Sequence, residues 1–505
     1  MAGHRGVFLY DHSMMFDGGW RILTGQRPFV DFFSSFGPVS YWVQALSQLA
    51  FGMEFRSMVI PAALFNLAAT GIAFAILRRW QAEETGLCLA GALLVASSFQ
   101  AAFGTIFMEN TAFFFLAVAL WLLVCFHTSA WAGWAAGLAG FAAVIAFFAK
   151  QNAAGLFVPV LAWVCLVSGG WKRFLHFLSG VLAGAIAFGV WILAATDPSL
   201  FWRHFWELPS AVGRGRITLG DKLIKALLFS GYPVLSKFLE QFILLSSIPF
   251  LLLAWAQRGT QTGSMFLRAA TLPLALVFYH ALFELSSDQD PENCLPFLGI
   301  SYGLACGAWL SLVRIPQASA LGLAPAAPWL RAVFVAAAIL VSAKNASFAL
   351  SRGAQQFPGG TVFPEEMRIP GMKGVRWGVP TPVGESNLSA AQFEALTGFL
   401  RERKKPFFVF SDSTILYGLT GQPAIGPLLF PLRNYMFTST DIPRIDRLYV
   451  ESMQRNGVQY VILETDGSPA RIHVWKDFPE LRRMIESQFA THSKIGLYEI
   501  LQRKP

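Results

Sequence analysis

Charge is the scarcest feature of this sequence. Only 14% of its 505 residues are Asp, Glu, Lys or Arg, whereas 54% are hydrophobic. Soluble domains carry charge on about a quarter of their residues. The composition therefore excludes an ordinary soluble protein and predicts an integral membrane protein. The 47 Phe and 16 Trp are typical of helices that face lipid and are anchored at the membrane interface.

Cysteine pairs, a basic stripe and a signal peptide are also missing. The five cysteines form no CxxC pair and lie in or beside apolar runs, so neither a disulfide framework nor a cysteine metal site is predicted. The net charge is +9, but the basic residues are scattered around apolar segments, which argues against nucleic acid as a partner. The first ten residues lack the apolar core of a cleavable signal peptide.

Apolar segments of membrane-spanning length fill the first two thirds of the chain. A helix needs about 20 residues to cross the hydrocarbon core. A shorter, more polar stretch at 38–52 predicts a helix that lies at the interface. We predict an all-α polytopic membrane domain over residues 1–354, with interfacial helices within 11–52. The ten candidate spans are 58–77, 86–104, 111–127, 131–149, 153–169, 174–195, 239–256, 267–284, 294–313 and 329–350.

Basic residues in the short loops predict the orientation of these spans. Basic loops remain in the cytoplasm, and the short loops of the opposite side contain only Lys150. Residues 1–57, the 196–238 connection and the C-terminal region are therefore predicted to be extracytoplasmic. The basic residues predicted to be cytoplasmic are Arg78, Arg79, Lys172, Arg173, Arg258, Arg268, Arg314 and Arg331.

The C-terminal part reads as a small soluble α/β domain over residues 355–505. The segments "PFFVFS", "VQYVILE" and "GLYEIL" predict buried strands. Residues 389–403 and 442–457 predict helices, the first with a capping box formed by Ser389 and Gln392. Strands that alternate with helices indicate an α/β layer.

An ordered set of motifs follows Asp11. It consists of "GGWRILTG", "GQRPFVDF", "GPVSYW" and an "FG" at 51–52. The set resembles the first external loop of the GT-C glycosyltransferases, which use polyprenyl-phosphate sugars. Protein O-mannosyltransferases, the aminoarabinose transferase of lipid A and Rgt-like bacterial transferases belong to this superfamily. The resemblance implies a GT-C-type membrane domain and a polyprenyl-phosphate donor.

Three departures from the family pattern limit what the resemblance implies. His12 stands where the family commonly has Glu, and "FGPVS" replaces a Lys-Pro-Pro motif of the aminoarabinose transferase, so that enzyme's substrate is not carried over. The family also has a membrane span before its acidic loop. Here Asp11 lies near the start of the sequence, which implies that this first transmembrane helix is missing.

Two acids are the predicted catalytic residues. The resemblance implies that Asp11 is the base, which takes the proton of an acceptor hydroxyl as it attacks the sugar. By composition alone, Asp11 also suits the first turn of a helix. Glu109 stands at the outer mouth of a span, where a buried charge is usually functional, in catalysis or beside a metal. The alternative is an ordinary acid at the membrane interface. Asp17 and Asp31 are predicted to be solvated loop acids, with Asp31 retained as a candidate substrate-binding residue.

Basic and amide side chains are the predicted substrate-binding groups. The ammonium and the two amides of Lys150, Gln151 and Asn152 suit a phosphate or sugar hydroxyls. The alternative is that Lys150 has no role in binding and only extends its charge from a helix end to the membrane interface. The long loop carries cations between Trp202 and Trp206, which suit either a lipid phosphate of the donor or bulk anionic lipid. The cations of this loop are Arg203, His204, Arg214, Arg216, Lys222 and Lys225.

A last candidate group lies near the outer end of another span. His280, Glu284 and Asp288 repeat at i, i+4 and i+8 on one helical face. They suit a divalent metal, an acceptor, or an ordinary helix-end cluster. The ligands of any metal are not assigned, and a divalent cation is the one cofactor left open.

These observations predict a glycosyltransferase of a bacterial inner membrane. It would move a sugar from a polyprenyl-phosphate donor to an envelope glycan, lipid or protein acceptor on the extracytoplasmic face, with inversion. The alternative is a membrane transporter or flippase of a lipid-linked saccharide. Transporters place ionisable groups near the bilayer midplane and often show repeated halves, neither of which is evident in this sequence.

Overall fold

The structure is a computed structural model that describes most of the chain. The described residues are 2–7, 9–98, 104–215, 234–256, 267, 270–279, 283, 297–314, 324–352, 364–377, 389–433, 436–464 and 474–505.

The first part of the chain is helical, and its helices follow the predicted apolar segments. Within the described ranges, α3, α5, α7 and α13 are long and apolar enough to cross a membrane. The predicted span 267–284 lies partly outside the described residues, and the count of ten spans stays a prediction. The helices are α1 (Leu9–Leu23), α2 (Pro38–Phe51), α3 (Arg56–Trp80), α4 (Thr85–Ser98), α5 (Met108–Cys125), α6 (Ala132–Phe147), α7 (Gln151–Ala195), α8 (Pro198–Trp202), α9 (Leu208–Gly215), α10 (Val234–Ala256), α11 (Ala270–Tyr279), α12 (Leu298–Val313) and α13 (Ala327–Arg352).

A glycine divides α7 into two antiparallel halves. Gly170 has φ 62° and ψ −161°, which is not helical. After Gly170 the chain reverses direction and packs parallel to α6. The two helices approach so closely that a Cβ on Gly180 would lie 1.8 Å from the Gly137 carbonyl oxygen. Such close approach of backbones is typical of small residues at membrane helix interfaces. The predicted break between spans 153–169 and 174–195 therefore lies at Gly170.

The buried face of α2 mixes apolar side chains with two glutamines that form hydrogen bonds, and its other face exposes leucines. The Gln48 side chain donates to the Phe16 carbonyl of α1 at 2.8 Å, and the Gln44 side chain donates to Ser57 Oγ at 3.1 Å. Leu46 and Leu49 are exposed on the other side. This pattern is the one expected of a helix that rests on the membrane surface and supports protein above it.

The C-terminal part forms a small α/β layer. A four-stranded sheet has the order β3-β4-β6-β5, in which only the β3–β4 pair is parallel. The three predicted strands and both predicted helices are present, and Ser389 forms the predicted capping box with Gln392. Two helices (Ile415–Thr420 and Pro479–Gln488) and three strands (Glu365–Glu366, Arg376–Trp377 and Phe489–Ile495) were not predicted. The elements are β1 (Glu365–Glu366), β2 (Arg376–Trp377), α14 (Ala390–Arg403), β3 (Phe407–Phe410), α15 (Ile415–Thr420), α16 (Ile442–Arg455), β4 (Tyr460–Glu464), α17 (Pro479–Gln488), β5 (Phe489–Ile495) and β6 (Tyr498–Arg503).

One hydrophobic core joins this layer to the N-terminal helices. Phe16 of α1 and Tyr41 of α2 belong to the same buried cluster as Phe408 of β3. Backbone hydrogen bonds also cross the boundary, from Phe33 N to the Pro427 carbonyl at 2.7 Å and from Phe55 N to the Gly371 carbonyl at 2.6 Å. The α/β layer is therefore seated on α1, α2 and the loop between them.

Candidate active site

Glu109 and Lys150 meet at one end of the helical bundle, here called the site end. Glu109 lies in the first turn of α5, and Lys150 is the residue immediately before α7. Lys150 Nζ lies 2.7 Å from Glu109 Oε1, and both side chains are buried. Among the residues that the structure describes, Glu109 Oε2 has no hydrogen-bond partner. Oε1 has only the ionic contact with Lys150, so both oxygens of this carboxylate are buried without a conventional hydrogen bond among the described residues.

The loop between α1 and α2 closes over Lys150. The Lys150 ammonium lies 4.6 Å from the centre of the Phe36 ring, a cation–π contact. The side-chain amide of Gln151 donates to the carbonyl oxygens of Ser35 at 3.2 Å and Phe205 at 2.9 Å. Gln151 thus ties this loop to the segment after α8, and its Oε1 has no partner among the described residues.

Asp11 lies on α1, which contacts the segment that precedes α5. It is in the first turn of α1, as predicted, and is 8% exposed. Its neighbour His12 is fully buried, and His12 Nε2 lies 3.1 Å from Thr105 Oγ1 in the segment that leads to Glu109. Burial lowers the pKa of His12 to about 3, so the imidazole is neutral at physiological pH.

The other predicted substrate-binding residues have different surroundings. Asp31 is exposed, and its Oδ2 accepts hydrogen bonds from the backbone N–H of Arg27 at 2.8 Å and from its side chain at 3.4 Å. Asn152 Oδ1 accepts from the N–H of Ala153 at 3.0 Å. Arg214 lies at the end of α9. The side chain of Arg214 and the residues Arg216, His280, Glu284 and Asp288 lie outside the described residues.

Asp17 differs from its prediction as a solvated loop acid. It lies within α1, it is fully buried, and its Oδ2 lies 2.8 Å from Arg21 Nε. Arg21 in turn donates to the Gly426 carbonyl at 2.8 Å, in the α/β layer. The i, i+4 spacing of Asp17 and Arg21 is the signal in the sequence that could have predicted this pair.

Two of the predicted phosphate-binding cations have structural contacts instead, and Arg203 joins the two parts of the chain. The Arg203 guanidinium binds the Asp441 carboxylate with two contacts of 3.1 Å. His204 stacks on Phe33 with ring centres 4.6 Å apart. Burial lowers the pKa of His204 to about 4, so it is not a cation at neutral pH. Sequence reasoning missed this interface because its partners are distant in the chain.

No metal site is formed by the part of the chain that the structure describes. Nowhere among those residues do three or more His, Cys, Asp or Glu side chains lie close enough together to hold an ion. The buried Glu109 already has a lysine as counter-ion.

Part of the chain matches the model of a known protein family. Residues 35–202, which include Glu109 and Lys150, match the family model described as dolichyl-phosphate-mannose-protein mannosyltransferase. No curated protein matches the chain at a significant level.

Solved structures match nearly the whole chain at low sequence identity. ArnT from Cupriavidus metallidurans in the apo state has a TM-score of 0.54 and 12% identity, over 99% of this chain and 94% of ArnT. The same protein bound to undecaprenyl phosphate has a TM-score of 0.53 and 13% identity, over 97% and 93%.

The chain has the GT-C fold. The resemblance seen in the N-terminal motifs is confirmed, as is the prediction of a helical membrane domain followed by a small α/β domain. The match of residues 35–202 to the mannosyltransferase family model, together with this fold, indicates an integral membrane glycosyltransferase.

Proposed function

We propose that this GT-C protein transfers a sugar from a polyprenyl-phosphate donor to a hydroxyl of an envelope glycan, lipid or protein. The site end and the α/β layer face the extracytoplasmic side of a bacterial inner membrane. The observation that carries the proposal is the buried Glu109–Lys150 pair at the site end. The ArnT structure that contains undecaprenyl phosphate supports a donor of this class.

Lys150 is the proposed ligand of the donor phosphate. Its ammonium is buried between Glu109 and the Phe36 ring. Both α5 and α7 begin here, and helix N-termini favour anions through their free N–H groups. A bound phosphate would share Lys150 with Glu109. Gln151, Asn152 and Arg214 and Arg216 of the long loop are proposed to complete the donor site, with Asp31, His280 and Asp288 nearer the acceptor.

Asp11 is the proposed base. The acceptor oxygen attacks the anomeric carbon on the face opposite the phosphate, and a new C–O bond forms. The bond from that carbon to the phosphate oxygen breaks, and its electron pair stays on the departing polyprenyl phosphate. Asp11 takes the hydroxyl proton, and the anomeric configuration inverts. Glu109, with its Oε2 available, is proposed to accept a hydrogen bond from a substrate hydroxyl.

Transfer by the purified full chain from a panel of synthetic polyprenyl-phosphate sugars tests the proposal. Asp11→Asn should lower kcat by about 10²- to 10⁴-fold, the usual contribution of a general base. Lys150→Met should instead act mainly on KM for the donor. Glu54→Gln is the control, because Glu54 is an exposed acid paired with Arg56.

Three results would overturn parts of the proposal. Equal turnover by Asp11→Asn would remove this residue as the base. Retention of anomeric configuration in the product would exclude the single displacement. Movement of the intact lipid-linked sugar across vesicles, with no transfer to any acceptor, would favour a flippase.

A further inference from the structure

A groove with basic and apolar residues in its lining lies at the end of the bundle opposite the site end. It is a groove of about 900 Å³ between α6 and the part of α7 that follows Gly170. Helix α5 has 18 residues, so this end is roughly 27 Å from Glu109 at 1.5 Å per residue. The positive residues of the loops predict that this end is cytoplasmic.

One end of the groove is basic. It is lined by Lys172, Arg173, His176 and His127, and no carboxylate is among the described residues that line it. Lys172 and His176 are exposed and make no side-chain hydrogen bond or ion pair within the described ranges. Arg173 is buried and donates to the Leu123 carbonyl and Ser168, but its Nε has no partner among the described residues.

The other end of the groove is apolar and faces outward from the bundle. Trp134 is 74% exposed and Leu138 is 57% exposed, and Phe141 and Ala183 continue the wall. The basic residues therefore stand above a lipid-facing slot that runs along α6. A ligand that fits both ends has an anionic headgroup and a hydrocarbon chain.

We propose that this groove binds one anionic phospholipid of the surrounding bilayer. The phosphate lies against Lys172 and His176 and reaches the free Nε of Arg173, and one acyl chain lies between Trp134 and Ala183. Charge complementarity selects this occupant, because the groove offers donors and no acceptor carboxylate. Cationic pockets at the ends of membrane helices favour lipid phosphates in this way. The site is separate from the transfer site and does not depend on the proposed reaction.

Native mass spectrometry of the purified full chain tests the site. Dioleoyl phosphatidylglycerol and dioleoyl phosphatidylcholine are supplied in equal amounts, so only the headgroup differs. The wild type should retain one phosphatidylglycerol in preference to phosphatidylcholine. The double variant Lys172→Gln/His176→Gln should lower this retention about tenfold, and Ala183→Trp should lower it by filling the acyl slot. Arg78→Gln is the control, since Arg78 is basic and on the same face but does not line the groove.

Four results would overturn the inference. Equal retention of the two lipids would remove the headgroup preference. Unchanged retention in the double variant would exclude these side chains, and an equal loss in Arg78→Gln would indicate bulk attraction only. Displacement of the lipid by millimolar inorganic phosphate, with Ala183→Trp without effect, would indicate a site for a free anion. All variants are compared only where gel filtration shows a single folded species.

Discussion

Arg203 and Asp441 form an ion pair that fastens the α/β layer to the helical bundle. Arg203 Nε lies 3.1 Å from Asp441 Oδ1, and Nη2 lies 3.1 Å from Oδ2. The backbone N–H and the hydroxyl of Thr438 donate to the same carboxylate at 2.8 Å. Each group is partly shielded from water, so the pair has more effect than an exposed one.

Asp441→Asn should lower the stability of the docked layer by about 1.5–3 kcal/mol, the range for hydrogen bonds to charged groups. Burial would raise the pKa of the Asp441 carboxyl, but the bonds from Arg203 and Thr438 outweigh it and hold the pKa below its usual 3.8. The ionised Asp441 carboxylate therefore contributes its full stabilisation above about pH 4. This stabilisation is lost as the pH falls through the pKa of Asp441 in the native protein. Thermal unfolding should show a difference between wild type and variant that is constant from pH 7 to 5 and shrinks below pH 4. The exposed pair of Arg444 and Asp197 provides the control, Arg444→Gln, with a smaller effect.

Arg21→Ala should be one of the most destabilising single changes at the boundary of the two parts. It leaves the Asp17 carboxylate buried without its counter-ion and removes the bond to the Gly426 carbonyl. Breaking one side of a buried pair costs about 3–5 kcal/mol. Arg27→Ala is a matched control, because Arg27 forms an exposed pair with Asp31 at 3.4 Å and should lose less than about 1 kcal/mol. Similar melting temperatures for the two variants would contradict the prediction.

His12 should make the protein less stable in mild acid. Its pKa is lowered to about 3 by burial, from 6.5 when exposed. Above pH 6.5, His12 is neutral in both the native and the unfolded protein and does not lower the free energy of unfolding. As the pH falls from 6.5 towards 3, only the unfolded protein takes up the proton, so the free energy of unfolding falls by about 1.4 kcal/mol per pH unit. His12→Gln should flatten the fall in melting temperature between pH 7 and 5. His492→Gln, at an exposed ring, serves as the control, and an unchanged slope in His12→Gln would argue against the prediction.

Gly170→Ala should destabilise the turn within α7. A φ of 62° with a ψ of −161° belongs to a region that is nearly exclusive to glycine, and a side chain there costs about 1–3 kcal/mol. The cost is one of backbone strain, because no atom lies within 4 Å of an added Cβ.

Gly189→Ala is the matched control, since Gly189 lies in the same helix and also has open space around an added Cβ. Gly189→Ala should be neutral or stabilising, as alanine is favoured in a helix interior. Equal effects of the two changes on the melting temperature would disprove the strain at Gly170.

Local patterns in the sequence were sufficient to predict most helices and the buried strands. The capping box at Ser389 and the apolar runs of α3 and α5 are features of neighbouring residues, so they can be recognised without the fold. The first-turn position of Asp11 was predicted for the same reason. Strand β5 was missed because its burial pattern is mostly exposed, which leaves little alternation to detect.

The sequence by itself determined that the chain is a helical membrane protein with a small α/β part. The reason is that lipid and water each select a pattern of apolar residues, in length and spacing, that can be recognised in neighbouring residues. The tertiary structure decided which charges act together. The contact of Glu109 with Lys150 requires α5 and α7 to begin at the same end, and Arg203 reaches Asp441 across 238 positions of sequence. Asp17 was predicted to be a solvated acid but is buried in the structure. Its burial depends on the segments that pack over it, and these are distant in the sequence.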